Sequence, residues 1–211
     1  MVTATNSRWE AIERWSPTLF IAAGGAWIID TAPYALELFI QVSVPEALNG
    51  ALILVAFLLT LTGTLGLYPP LAEETPTLAF AGVLLITFAG LVILGTFAWV
   101  IGAGLLGLSM PPVASLIMII ALNLLALFIF GFASLRFDVP SRACGVLLIA
   151  LAATWTVWIA GITGLLSSAP EWASAVLGIL FAAISMAIGA VLHVDGFPLR
   201  RHTSSSSLSI E

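Results

Sequence analysis

An all-α bundle of six transmembrane helices, with the N- and C-termini both cytoplasmic, is the fold class this sequence predicts. Three observations lead there. Of 211 residues, 61% are hydrophobic and only 8% are Asp, Glu, Lys or Arg. Soluble domains carry roughly 25% charged residues, and so little polar surface cannot coat a water-soluble globule. Second, Pro76 to Leu135 contains no ionisable side chain, and Leu48–Ala72 and Ala143–Pro170 contain no acid, arginine or histidine. Each run exceeds the roughly 20 apolar residues that cross a bilayer. Third, the chain has no lysine, and its six arginines fall on one side of every predicted crossing.

The six segments follow in order, with limits good to a few residues. They are Pro17–Phe39, Ala47–Tyr68, Thr77–Leu106, Pro112–Leu135, Ser141–Leu166 and Glu171–His193. Pro17, Pro112 and Pro140 lie at or near starts, where a missing N–H costs nothing. Pro69-Pro70 is expected to close the second helix, and Ser109-Met-Pro-Pro to separate the third from the fourth. The third is longer than a crossing needs and should tilt or project. Residues 1–16 form an N-terminal cytoplasmic segment. Within it, Ser7-Arg-Trp-Glu10 has capping-box spacing, and Trp9, Ile12 and Trp15 share a face suited to an interfacial helix. A cleavable signal peptide is the competing reading of the first segment, although no small-x-small site follows it. Residues 17–193 form the transmembrane domain, and 194–211, with Thr203-Ser-Ser-Ser-Ser, a disordered cytoplasmic tail.

Orientation follows from arginine, which marks the cytoplasmic side. With the N-terminus inside, Arg8, Arg14, Arg136, Arg142, Arg200 and Arg201 are all inside. Trp9, Trp15 and Tyr68 then belong to the inner interface, and Tyr34, Trp99 and Trp172 to the outer one.

Several function classes are excluded by residue counts. Without lysine no retinal Schiff base forms. The single Cys144 forbids an internal disulfide and CxxC chemistry, and the two histidines, His193 and His202, both lie near the chain end. No phosphate-binding GxxxxGK[ST] loop and no basic stretch for nucleic acid is present. No cofactor or metal set is legible, and no serine–histidine or paired-aspartate arrangement suits intramembrane hydrolysis.

Intramembrane polar groups are few. Asp30 lies about 13 residues past Pro17, roughly 20 Å from the inner surface at 1.5 Å per residue. An ionised carboxylate there costs at least about 2.5–3.5 kcal/mol, so it should face protein or water, or carry a proton. Pro33 withholds a donor from the Ile29 carbonyl nearby. The bland alternative is that the first helix ends near Asp30, leaving it among headgroups. If Asp30 faces inward, Asn123, Thr96 and Thr156 are the candidate partners by depth. In the sixth segment Ala175, Gly178, Ala182, Ser185 and Gly189 recur at three- and four-residue steps. Such a seam lets backbones approach closely, with Leu177, Leu180 and Phe181 turned outward or sideways.

One internal similarity is visible. Gly82-Val-Leu-Leu-Ile86 recurs as Gly145-Val-Leu-Leu-Ile149. If duplication produced it, the second and third segments should superpose on the fourth and fifth, with Gly82 landing on Gly145.

The stretch Leu65-Gly-Leu-Tyr-Pro-Pro-Leu-Ala-Glu-Glu-Thr-Pro-Thr-Leu-Ala-Phe-Ala-Gly82 and the opening Arg8-Trp-Glu-Ala-Ile-Glu-Arg-Trp-Ser16 resemble a family of small multi-pass membrane proteins from halophilic archaea. Absent lysine and acidic loops fit such a source. The resemblance implies a membrane fold and carries no activity or site residues with it. The functional expectation is a non-catalytic structural or partner subunit in the cell membrane, in contact with lipid and with a second copy or another membrane protein. The alternative is a small transporter or channel with a proton or cation site at Asp30.

Overall fold

The computed structural model describes residues 3–40, 46–106, 113–162 and 172–195. All regular structure among them is helical: α1 (Thr3–Ile40), α2 (Glu46–Leu65), α3 (Tyr68–Glu74), α4 (Pro76–Leu106), α5 (Val113–Phe137), α6 (Arg142–Ile162) and α7 (Trp172–Val194). Five stretches among them are long and apolar enough to cross a membrane: Gly50–Glu74, Pro76–Val100, Ile117–Phe137, Arg142–Gly161 and Ala173–Val194. The expected six crossings become five by this measure. Helix α1 has the length for a sixth, and the five are a count over the described residues, which leave out the α1 side chains beyond Pro33.

Helix α1 also starts earlier than expected. It runs unbroken from Thr3 through Pro17 and Pro33, so residues 3–16 are continuous with the helix beyond Pro17 and Ser7 lies inside the helix rather than capping it. One stripe carries it through. Glu13, Ser16, Pro17, Phe20, Ala23, Gly24, Trp27, Asp30 and Thr31 are all buried at three- and four-residue steps. Trp15, Ile21, Ile28 and Ile29 face outward. The buried face thus sets small and polar residues beside Phe20 and Trp27 while large aliphatic ones face out, unlike a soluble amphipathic helix. In lipid that is the stable choice, because small residues admit close packing while large apolar ones cost nothing facing the tails. Trp9 turns toward the bundle and packs its ring 4.8 Å from that of Tyr68, and Trp15 points away from it.

The second helix stops short of Pro69-Pro70. It ends at Leu65, and Gly66 and Leu67 close it with tight N–H bonds to the carbonyls of Gly63 at 3.1 Å and Thr64 at 3.0 Å. The two prolines then occupy the first turn of α3, where their missing N–H groups are harmless. Thr75 ends α3 by donating its N–H to the Leu71 carbonyl at 2.8 Å, and Pro76 opens α4. Between α5 and α6, Asp138 adopts a left-handed backbone (φ 58°), which Asp tolerates better than most residues. Its carboxylate accepts the Arg142 N–H at 2.9 Å. Ser141 caps α6 by accepting the Cys144 N–H on its hydroxyl at 3.3 Å.

Neighbouring helices pack in the order α2, α1, α7, α6, α5, α4, and α4 meets α2 only slightly. The pairing α1·α7 brings the start of the first helix to the end of the last. The expected repeat does not organise the bundle: α5 packs extensively on α6, whereas α2 and α4, their supposed equivalents, barely touch. Gly82 and Gly145 both abut α5, at Phe130 and at Gly131 with Leu135 respectively. They flank one helix from two sides.

Candidate functional site

The seam of α7 is the first feature of the interior. Ala175, Gly178, Ala182, Ser185 and Gly189 are all buried, and glycines on both helices show how tightly α1 lies on them. A Cβ on Gly24 would fall 2.5 Å from Met186 Cγ and 2.8 Å from the Ala182 carbonyl oxygen, and one on Gly189 would fall 2.6 Å from the Pro17 carbonyl oxygen. At the far end Gly178 faces the Thr31 side chain with no room for a Cβ. The Ser185 hydroxyl has no hydrogen-bond partner. Phe181, placed outward or sideways by sequence, is instead 1% exposed, because the aromatic cluster described below holds it.

Asp30 sits on the same stripe of α1, beside Thr31. It is 6% exposed and its Oδ1 has no hydrogen-bond partner. The helix continues past it to Ile40, so α1 does not end at Asp30. Its expected partners are elsewhere. Thr156 faces outward on α6 and donates to its own Ala152 carbonyl at 3.0 Å. Asn123 is buried on α5 and Thr96 lines a groove on α4, while α1 packs chiefly on α7 and α2. The four residues therefore form no single polar site.

One turn before Asp30, Trp27 enters a cluster that sequence reasoning did not find. Trp155 of α6 is 2% exposed and lies at its centre. Its ring meets Phe181 at 4.5 Å, Phe57 at 4.9 Å, Trp158 at 5.5 Å and Trp27 at 5.7 Å. Trp27 also stacks on Phe181 at 4.8 Å. Edge-to-face and tilted pairs at these separations contribute about 0.5–1.5 kcal/mol each beyond area burial. Trp155 Nε1 makes no conventional hydrogen bond. The only hint in the sequence is the Trp155/Trp158 spacing, which puts both rings on one face of a helix.

Trp155 and Trp158 line a groove of about 180 Å³ that α2 and α4 also line. Its walls are Gly50, Ile53, Leu54 and Phe57 from α2 and Ile93, Thr96, Phe97 and Val100 from α4, with Ile119 and Ile120 of α5 behind. No charged residue lines it. Among the described residues no three His, Cys, Asp or Glu side chains come together as metal ligands.

No protein-family model, curated protein or solved structure matches the chain. Its helices and composition define a class: a multi-pass helical membrane protein in contact with the lipid bilayer.

Proposed function

We propose that this chain is a non-catalytic subunit of a membrane assembly, inserted in the cell membrane with α1 as a sixth crossing and both ends cytoplasmic. Helix α4 carries the reading. Of its crossing stretch, 28% is buried inside the bundle, against 39–50% in the other four. Phe80, Leu84, Phe88, Leu91 and Leu94 all face outward, and Gly90 and Gly95 have nothing within 4 Å of a Cβ position. Open glycines on a crossing helix let a neighbouring helix approach closely. All-inside arginine supports the orientation, and the lysine-free acidic composition supports a halophilic archaeal source and kinship with the small membrane proteins the chain resembles.

Cysteine cross-linking tests this reading. With Cys144 replaced by serine, Gly95→Cys or Leu91→Cys in native membranes should give one defined adduct, with a second copy or another membrane protein. A chain that stays uncross-linked at both positions and purifies as a strict monomer refutes the reading. Accessibility labelling that placed the Arg136–Arg142 loop outside would refute the orientation.

Asp30 favours a second reading, a small transporter or channel with a proton or cation site there. A buried carboxyl oxygen without a partner in an apolar bundle is the residue such a site needs. Asp30→Asn should then leave the bundle folded and abolish ion-coupled flux in reconstituted vesicles. Equal flux in both forms removes that reading.

A further inference from the structure

We propose that the groove between α2 and α4 binds the ring of a quinone lipid, a flat, neutral, carbonyl-bearing ring on a long hydrocarbon tail. Size comes first. A dry cavity of about 150 Å³ accepts benzene, and the groove's volume of about 180 Å³ seats one small ring system while its open side leaves room for a tail. The lining comes second. Phe57, Phe97, Trp155 and Trp158, from three different helices, present aromatic side chains to the same space, and aromatic faces and edges favour a flat conjugated partner. With no charged residue in the lining, the occupant is neutral.

The polar detail separates a quinone from an acyl chain. Thr60, Thr62, Thr64, Thr154 and Thr156 each donate their hydroxyl to the carbonyl four residues back, at 2.7–3.0 Å. Thr96, the one hydroxyl-bearing side chain in the groove, makes no such bond among the described residues. It is a donor without an acceptor in an apolar wall. A ring carbonyl supplies that acceptor, and the saturated part of an acyl chain does not. The opening lies between two crossing helices that touch only slightly, so the ligand enters from the bilayer and its tail stays there.

The test uses the full chain in phospholipid nanodiscs, with tryptophan emission as readout and a naphthoquinone carrying a short alkyl tail as probe. Quinones quench indole on contact, and Trp155 and Trp158 line the groove. Wild type should show saturable quenching above the linear background of probe dissolved in lipid. Gly50→Leu fills the groove from a position with nothing within 4 Å of its Cβ and should abolish the saturable part. Val100→Phe, on the opposite wall and exposed, should do the same and guards against a folding defect in the first variant. Thr96→Val should weaken the probe about fivefold, the loss of one hydrogen bond. Linear, non-saturating quenching identical in wild type and both filled variants overturns the proposal. So does quenching by chain-brominated phospholipid that the naphthoquinone fails to relieve, because an acyl chain then occupies the groove.

Discussion

Gly131 of α5 and Gly145 of α6 approach each other so closely that each carbonyl occupies the other's Cβ space. A Cβ on Gly145 would lie 2.8 Å from the Gly131 oxygen, and one on Gly131 would lie 3.1 Å from the Gly145 oxygen. The obstacles to Gly145 include backbone atoms on a neighbouring helix, which cannot rotate aside. Gly145→Ala should therefore force α5 and α6 apart and cost about 1–3 kcal/mol, the range for overpacking a tight interior. Gly161→Ala, on the same helix with nothing within 4 Å, should be neutral or gain up to about 1 kcal/mol from helix propensity. Unfolding in mixed detergent micelles separates the two, and equal stability of both variants would refute the close-approach account.

Ser16 ties α1 to α2 by donating its hydroxyl to the Gly63 carbonyl at 2.7 Å, fully buried. The bond spans two helices at the point where a Cβ on Gly66 would fall 2.5 Å from Ser16 Cβ. Ser16→Ala removes the bond and keeps the volume. A loss of about 0.5–1.5 kcal/mol is expected, measured by the same unfolding assay. No loss would mean that the carbonyl is satisfied by its own helix alone.

Trp155 joins α6 to aromatic side chains of α1, α2 and α7. Trp155→Ala should cost about 3–5 kcal/mol, as large-to-small changes in packed interiors do. Trp155→Phe should cost less, because its indole N–H makes no conventional hydrogen bond to lose. A larger loss for Phe than for Ala, read by thermal denaturation, would show that the indole nitrogen is what matters there.

The α5–α6 turn offers a contrast in polar interactions. Ser141 is the cap of α6, and Ser141→Ala should cost about 1 kcal/mol. The Arg142–Asp138 pair is long at 3.8 Å and exposed on both sides, so Arg142→Gln should change stability by well under 1 kcal/mol. Added salt should shrink the small cost of Arg142→Gln and leave the cost of Ser141→Ala unchanged, since screening acts on the ion pair and not on the cap.

Much of the bundle was legible because the bilayer imposes lengths. Pro76–Leu106 and Trp172–Val194 fall within a residue of their expected limits at each end, as apolar runs bounded by proline or charge should. The expected ends beyond Ile162 and the tail from residue 196 lie outside the described residues. The start of α1 and the end of α2 were misplaced for one reason. The sequence pattern makes proline a boundary in both, whereas α1 passes through Pro17 and the Pro69-Pro70 pair opens a short helix instead. A proline inside a helix loses one N–H bond and is tolerated where neighbouring helices hold the turn in place.

By itself, the sequence determined that this is a helical, multi-pass membrane protein. Hydropathy and charge spacing are local properties, and a bilayer reads them segment by segment. Which face of each helix turns inward was left to the tertiary structure. When nearly every face is apolar, hydropathy does not distinguish them, and fit alone decides. That is why Phe181 lies inside and Thr156 outside. The Trp155 cluster and the groove beside it draw on residues as distant in sequence as Trp27 and Phe181, on helices whose order of packing no local pattern encodes.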